Sequence, residues 1–290
     1  MTSRYRTRPQ VHFEAFRILE QRRVEAGNAI WAILAGSRMA SNTLNLTEGS
    51  TRTLAEIFPT VEHIDRFNLR SDTARELLAQ AEAELCTMGM SYAIALHEDF
   101  VKTCLSWLLP LGLVTRSQVR EAKTFNIHEK IETASGVSMD IDSLQLFHLT
   151  RLMRNCHIHA GGQGSRELER HGNGLTSRQV AVWESLTKEP FTPIRQGAYV
   201  AVGVGGLIAT LAIGKRLSYD VNLCLQSAIP RDKWADMAAA EYFSLGAKKP
   251  SHPKALRSVR GYARGRYDAL SLTDRELTDA IDRIMGQSAI

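Results

Sequence analysis

Residues 73–110 read TARELLAQAEAELCTMGMSYAIALHEDFVKTCLSWLLP. Proline appears only at the end of this run, where it predicts a stop. Leu78, Ala81, Leu85, Met88, Tyr92 and Ala95 recur at alternating steps of three and four, the apolar stripe of an amphipathic helix. Thr73 and Glu76 stand at capping-box spacing and predict its start. Gly89 marks a candidate bend. Asp99 continues the stripe from Tyr92, so it is either a buried partner for an arginine or the point where the stripe ends.

The same signals extend in both directions. Pro110 is the one proline among the 130 residues between Pro59 and Pro190. No stretch sustains period-two alternation between turn residues, so the chain reads as all-α with little or no sheet. A first helix is expected over 11–39, with Phe13, Phe16, Leu19, Ile30, Ile33 and Leu34 in the core. The polar run SNTLNLTEGSTRT (41–53) reads as a loop, and a short helix ends near Phe58-Pro59. Thr115 and Gln118 open another helix, to about Thr133. Asp140 or Asp142 caps the next one, which carries Leu146, Leu149, Met153, Cys156 and Ala160 on one face. Gly161-Gly162 stop it, because glycine takes the left-handed conformation at low cost. Residues 196–214 carry no charge. Their five glycines and amphipathic continuation (Leu217, Val221, Leu225, Ile229) favour a buried central helix over a membrane span. Pro230 opens a further amphipathic helix.

The 290 residues, 44% hydrophobic and 23% charged, have ordinary globular composition. They suffice for one large domain or two small ones. The helical pattern suggests an N-terminal helical region (1–72), a helical core (73–245) and a basic tail with a short terminal helix (246–290). Cys86, Cys104, Cys156 and Cys224 are far apart with no C-x-x-C, which suits reduced, buried thiols and a cytoplasmic setting. Residues 11–25 are too charged for a secretory signal. The net charge is +5. Lys248, Lys249, Lys254, Arg257, Arg260, Arg264 and Arg266 crowd into 248–266 with no acid among them, leaving the rest of the chain slightly acidic. That segment reads either as an arm for nucleic-acid phosphates, with Tyr262 and Tyr267 available to stack on bases, or as a solvated linker.

The segment LFHLTRLMRNCHIHAGG (146–162) carries the most specific chemistry. Asn155 and His159 are four apart and share a helix face, and Arg154 flanks it. The trio suits attack of an RNA 2′-hydroxyl on its own phosphate. Histidine can move the proton, arginine can hold the phosphate bidentately, and asparagine can orient either. No metal or other cofactor is needed for that chemistry. Cys156 with His159 offers at most half a zinc site, because no second Cys/His pair stands at ligand spacing. Each residue also has a plain structural reading: His159 as a cation at a helix C-terminus, Asn155 as a cap. His148 and His157 are possible RNA contacts, with structural roles as the simpler reading. No phosphate loop, GxSxG, HExxH or kinase set is present.

Arg154-Asn155-x-x-x-His159 at a helix end, followed by Gly-Gly, resembles the R-x(4–6)-H signature of the HEPN superfamily. The resemblance covers roughly residues 73–245 and implies an all-helical bundle. It implies a metal-independent endoribonuclease with Arg154, Asn155 and His159 catalytic, in a toxin–antitoxin, abortive-infection or antiviral role. It also implies a homodimer, with an antitoxin or activator protein as a further partner. Glu98 and Lys102 match the E-x-x-x-K element of some members, and on a helix they also make an ordinary surface pair. With 27 arginines and nine histidines, chance alone supplies about one R-x4-H match. Arg166 and His171 form a second one, in a glycine-rich polar stretch with Glu167 after the arginine. Two alternatives stay open: a non-catalytic HEPN-like module that binds nucleic acid or nucleotide, and a helical interaction protein.

Overall fold

The structure is a computed structural model and describes residues 9–245 and 252–287. It is all-α: the described residues form twelve α-helices and no strand. These are α1 (Glu14–Asn45), α2 (Leu54–Ile57), α3 (Ser71–Trp107), α4 (Arg116–Arg120), α5 (Ile127–Ser135) and α6 (Ile141–Ala160). Then come α7 (Arg166–Asn173), α8 (Ser177–Thr187), α9 (Val204–Ala228), α10 (Arg231–Ser244), α11 (His252–Arg266) and α12 (Asp274–Gln287). Four of them open on a reciprocal T-x-x-E/Q box: Thr53 with Glu56, Thr115 with Gln118, Thr176 with Gln179 and Thr273 with Glu276. Each box satisfies two backbone donors that a helix start leaves orphaned.

The contacts divide the chain into two compact units. The first comprises residues 1–22, 95–148 and 213–290. Phe13 is its hub, packing on Phe16, Phe100, Trp107 and Trp234 with ring centroids 5.1–6.3 Å apart. Asn222 clamps the approach to α1: its side chain accepts from the Val11 amide (3.1 Å) and donates to the Val11 carbonyl (2.8 Å). The buried Glu241 accepts from the Glu14 amide, Arg17 and the Tyr262 hydroxyl at 2.6, 3.0 and 2.8 Å. One carboxylate thus ties α1, α10 and α11 together. Helices α10, α11 and α12 pack on one another, and Arg231 grips Glu276 through two bonds of 2.7 and 3.0 Å.

The second unit comprises residues 23–94 and 149–212. Its core includes Cys86, Met90, Ile94, Leu152, Cys156, Leu168, Val182 and Leu207. Helix α3 runs unbroken through Gly89. A Cβ there would come within 3.0–3.1 Å of the Ile30 and Leu207 side chains, so the glycine allows close packing.

Several local expectations need correction. Helix α3 starts at Ser71, whose amide and hydroxyl bond to the carbonyls of Arg52 and Ser50, and Thr73 lies inside it. The stripe chosen on α3 is not the buried face: Met88 and Tyr92 are exposed, while Cys86, Met90, Ile94, His97, Val101 and Cys104 are buried. Asp99 is 74% exposed, 3.9 Å from Arg22. On α1, Ile33 is 53% exposed, and the helix runs on into the segment read as a loop. Residues 116–135 form two helices, not one. Residues 196–203 are not helical, and α9 starts only at Val204. Among the described residues no helix is long and apolar enough to cross a membrane.

The basic tail differs most. Residues 252–266 form a helix with Ala255, Val259, Ala263 and Tyr267 buried at steps of four. Tyr267 is therefore unavailable to a base. Tyr262 is committed too, with its hydroxyl on Glu241 and the Arg266 guanidinium 4.7 Å above its ring.

Candidate active site

Asp140 caps helix α6, its carboxylate accepting from the amide and hydroxyl of Ser143 (3.0 and 2.7 Å). Leu146, Leu149, Leu152, Met153 and Cys156 turn inward. Arg151, Arg154 and Asn155 are half-buried beside this face, and Ile158 and His159 are exposed. The helix ends as expected at Gly161 and Gly162 (φ +57° and +84°), and the Gly162 amide returns to the Cys156 carbonyl (3.0 Å). This bond reaches back six residues and closes the chain onto the last turn of the helix.

The structure brings Arg154, Asn155 and His159 together on the last two turns. Arg154 Nη1 donates to Asn155 Oδ1 at 3.1 Å. No ion pair holds Arg154 among the described residues, whereas its neighbour Arg151 lies 3.6 Å from Glu167. The His159 ring is exposed and makes no hydrogen bond among the described residues. Arg154 and Asn155 are half-buried, with Arg154 Nε buried and unpartnered, and His159 is exposed, so a cation and an unengaged imidazole share this end of α6. His157 has a partner within the fold: Nε2 lies 2.7 Å from the Val200 carbonyl.

This helix end is anchored to the segment that follows α8. Gly164 donates to the Ala198 carbonyl, Gly197 to the Gly164 carbonyl and Val200 to the Gly162 carbonyl, each at 2.8 Å. Tyr199 lies edge-on to the His157 ring at 5.6 Å. A Cβ on Gly162 would sit 2.5 Å from the Tyr199 ring. Gly162 is thus needed both for its positive φ and for the approach of Tyr199. Beside this lock lies a cavity of about 660 Å³, lined by Met153, Trp183, Glu189, Phe191, Arg195 and Tyr199 among others. The sequence reading missed it.

Glu98 and Lys102 do not join the trio in one unit; they belong to the first, and Arg154, Asn155 and His159 to the second. The Glu98 carboxylate takes Lys102 at 2.6 Å and accepts from the Thr124 hydroxyl, which fits a local tie between α3 and the α4–α5 connection. The Arg166–His171 pair lies on α7, a regular helix rather than an irregular stretch. Lys248 and Lys249 lie outside the described residues. Of the other tail cations, Arg260 pairs with Asp274 (2.5 Å) and Arg266 covers Tyr262. Lys254, Arg257 and Arg264 are exposed and make no ion pair among the described residues. At 1.5 Å per residue they span about 15 Å of α11.

One buried constellation lies outside every expectation. His97 of α3 and His128 of α5 face each other with Nε2 atoms 2.9 Å apart, and Phe147 packs against both rings. Burial pushes the His97 imidazole down to about 4. Burial and the neighbouring His97 and His148 hold His128 well below the usual range. Burial likewise raises the thiols of Cys86 and Cys224 to about 11, so these are inert packing groups. Among the described residues, no group of three or more His, Cys, Asp or Glu is placed to hold a metal.

No family model, no curated protein and no solved structure matches the chain.

Proposed function

We propose that the chain is a HEPN-type endoribonuclease that cuts RNA without a metal, in a toxin or antiviral defence role. The observation that carries the reading is the half-buried Arg154–Asn155 pair and the exposed His159 at the end of α6. There Arg154, free of any acidic partner among the described residues, stands beside Asn155, with the unengaged His159 one turn on. His159 takes the proton of a ribose 2′-hydroxyl. The 2′-oxygen attacks phosphorus, the bond to the 5′-oxygen breaks, and that oxygen takes up a proton from water. The products are a 2′,3′-cyclic phosphate and a 5′-hydroxyl. Arg154 neutralises the charge that builds on the phosphoryl oxygens, and Asn155 keeps the guanidinium in place. The test is incubation of a mixed-sequence RNA with the pure protein in EDTA, where fragmentation is expected.

The exposed cations of α11 support RNA as the substrate. Lys254, Arg257 and Arg264 would contact phosphates and give affinity without sequence preference. Replacing all three by glutamine is expected to flatten the plot of log K against log salt by about 2, at about 0.7 per phosphate contact for a single strand. An unchanged slope would place RNA elsewhere.

Self-association fits the apolar groove between α1 and α3, lined by Ile33, Gly36, Ala40, Leu78, Leu85 and Met88, with Met88 66% exposed. Contiguous exposed apolar surface of this kind marks interaction sites. A dimer is expected in sedimentation equilibrium, and Met88→Lys should shift it toward monomer. A wild-type monomer would remove this part of the reading.

A further inference from the structure

We infer that the cavity beside the end of α6 receives a nucleobase of the bound RNA, with Tyr199 as its stacking face. This rests on the proposed action on RNA and adds a base-binding position to it. Tyr199 is 59% exposed in a segment held by backbone hydrogen bonds to Gly162 and Gly164. Its position is fixed from three sides: by the His157 edge, by the missing Cβ of Gly162, and by the backbone bonds of Gly164 and Val200. A ring held rigid in solvent loses little entropy when a base stacks on it.

The cavity lining fits the same occupant. Trp183, Phe191 and Met153 give apolar walls suited to the faces of a flat heterocycle. Glu189 brings a carboxylate that makes no hydrogen bond or ion pair among the described residues, able to accept from a base amino group. Arg195 is an exposed cation on the same lining, where the ribose-phosphate would leave. A purely apolar ligand would use neither charge. Met153 also ties the cavity to the candidate site, because it precedes Arg154 on α6 and its side chain lines the wall.

The experiment uses the full chain and a fluorescein-labelled 2′-O-methyl RNA, which can bind but offers no attacking 2′-hydroxyl. Dissociation constants are compared for wild type, Tyr199→Phe, Tyr199→Leu and Tyr199→Ala. Base stacking lost by truncation corresponds to about a 5- to 150-fold weakening. Tyr199→Ala and Tyr199→Leu should show it, and Tyr199→Phe should stay within about twofold on the same stacking argument. Leucine keeps an apolar contact over Gly162, so a loss there reports the stacking face and not the packing. A 5-iodouridine version of the RNA, irradiated with wild type, should crosslink to Tyr199. Wild-type binding that none of the substitutions weakens, or a crosslink only on other segments, overturns the base pocket and leaves the nuclease reading standing. No RNA binding by wild type overturns both.

Discussion

His159→Ala should lower the rate of RNA cleavage by about a hundredfold to ten-thousandfold, the range for losing a positioned general acid or base. Arg154→Ala should lower it by about a hundredfold to a thousandfold, as expected for a lost donor to transition-state charge. His159 is exposed and Arg154 half-buried, and neither belongs to the helix core made by Leu149, Leu152, Met153 and Cys156. The substitutions should therefore leave folding nearly intact, and thermal melting would check this. Affinity for uncleavable RNA separates the two roles. Alanine at 159 should leave it within about twofold, since a general base contributes to the transition state and not to ground-state binding. Arg154→Lys should restore only part of the rate, because an ammonium keeps the charge without the planar fork. Cleavage that survives both alanine substitutions would assign the chemistry to other residues.

Acid should destabilise the protein steeply between about pH 6.5 and pH 4, because of the His97–His128 pair. Both imidazoles are held below their ordinary value by burial. The unfolded chain therefore takes up protons below about pH 6.5 that the folded chain refuses, so stability falls as pH falls through that window. Above it, neither histidine contributes a slope. His97 alone, at about 4, accounts for about 3 kcal/mol at 1.36 kcal/mol per pH unit. His128 adds to this in the same direction. Urea midpoints at pH 7 and pH 4.5 measure the loss. Replacing both histidines by leucine removes the titration without leaving one ring unpartnered, and should flatten the acid limb. A double variant with the same acid limb as wild type would assign the loss to other groups.

The helical fold was legible where local chemistry decides it. Proline spacing gave the all-α class, the Thr115 box and Asp140 gave helix starts, and Gly161-Gly162 gave the end of α6. The inward face of α6 was legible for the same reason, since Leu146, Leu149, Met153 and Cys156 recur at helical period. Helix α3 was not, because it carries two interleaved apolar stripes. Leu78, Leu85, Met88 and Tyr92 fit one register, and Cys86, Met90, Ile94 and Val101 fit another. Packing chose the second, which buries a histidine that pattern reading treats as polar.

The tail was misread because its charges drew attention away from Ala255, Val259, Ala263 and Tyr267, an apolar row at steps of four. Residues 196–203 failed in the opposite sense. They lack charge, yet Gly197 has φ +76° and the segment bonds to the backbone of Gly162 and Gly164 rather than to itself. Of the candidate site, the placement of Arg154, Asn155 and His159 at one helix end was legible, Asn155 and His159 being four apart and Arg154 adjacent. Tyr199 and the cavity depend on contacts across about forty residues, which no local pattern encodes.

The most direct measurement is the chemistry of the cut ends, on an RNA of mixed sequence in EDTA beside a copy carrying 2′-deoxyribose at the main cut position. Attack by the 2′-hydroxyl predicts 2′,3′-cyclic phosphate and 5′-hydroxyl ends from the first and no cut at the substituted position in the second. Fragments with 5′-phosphate ends, or cleavage at the deoxy position, would contradict the account, as would an intact RNA after prolonged incubation with folded protein.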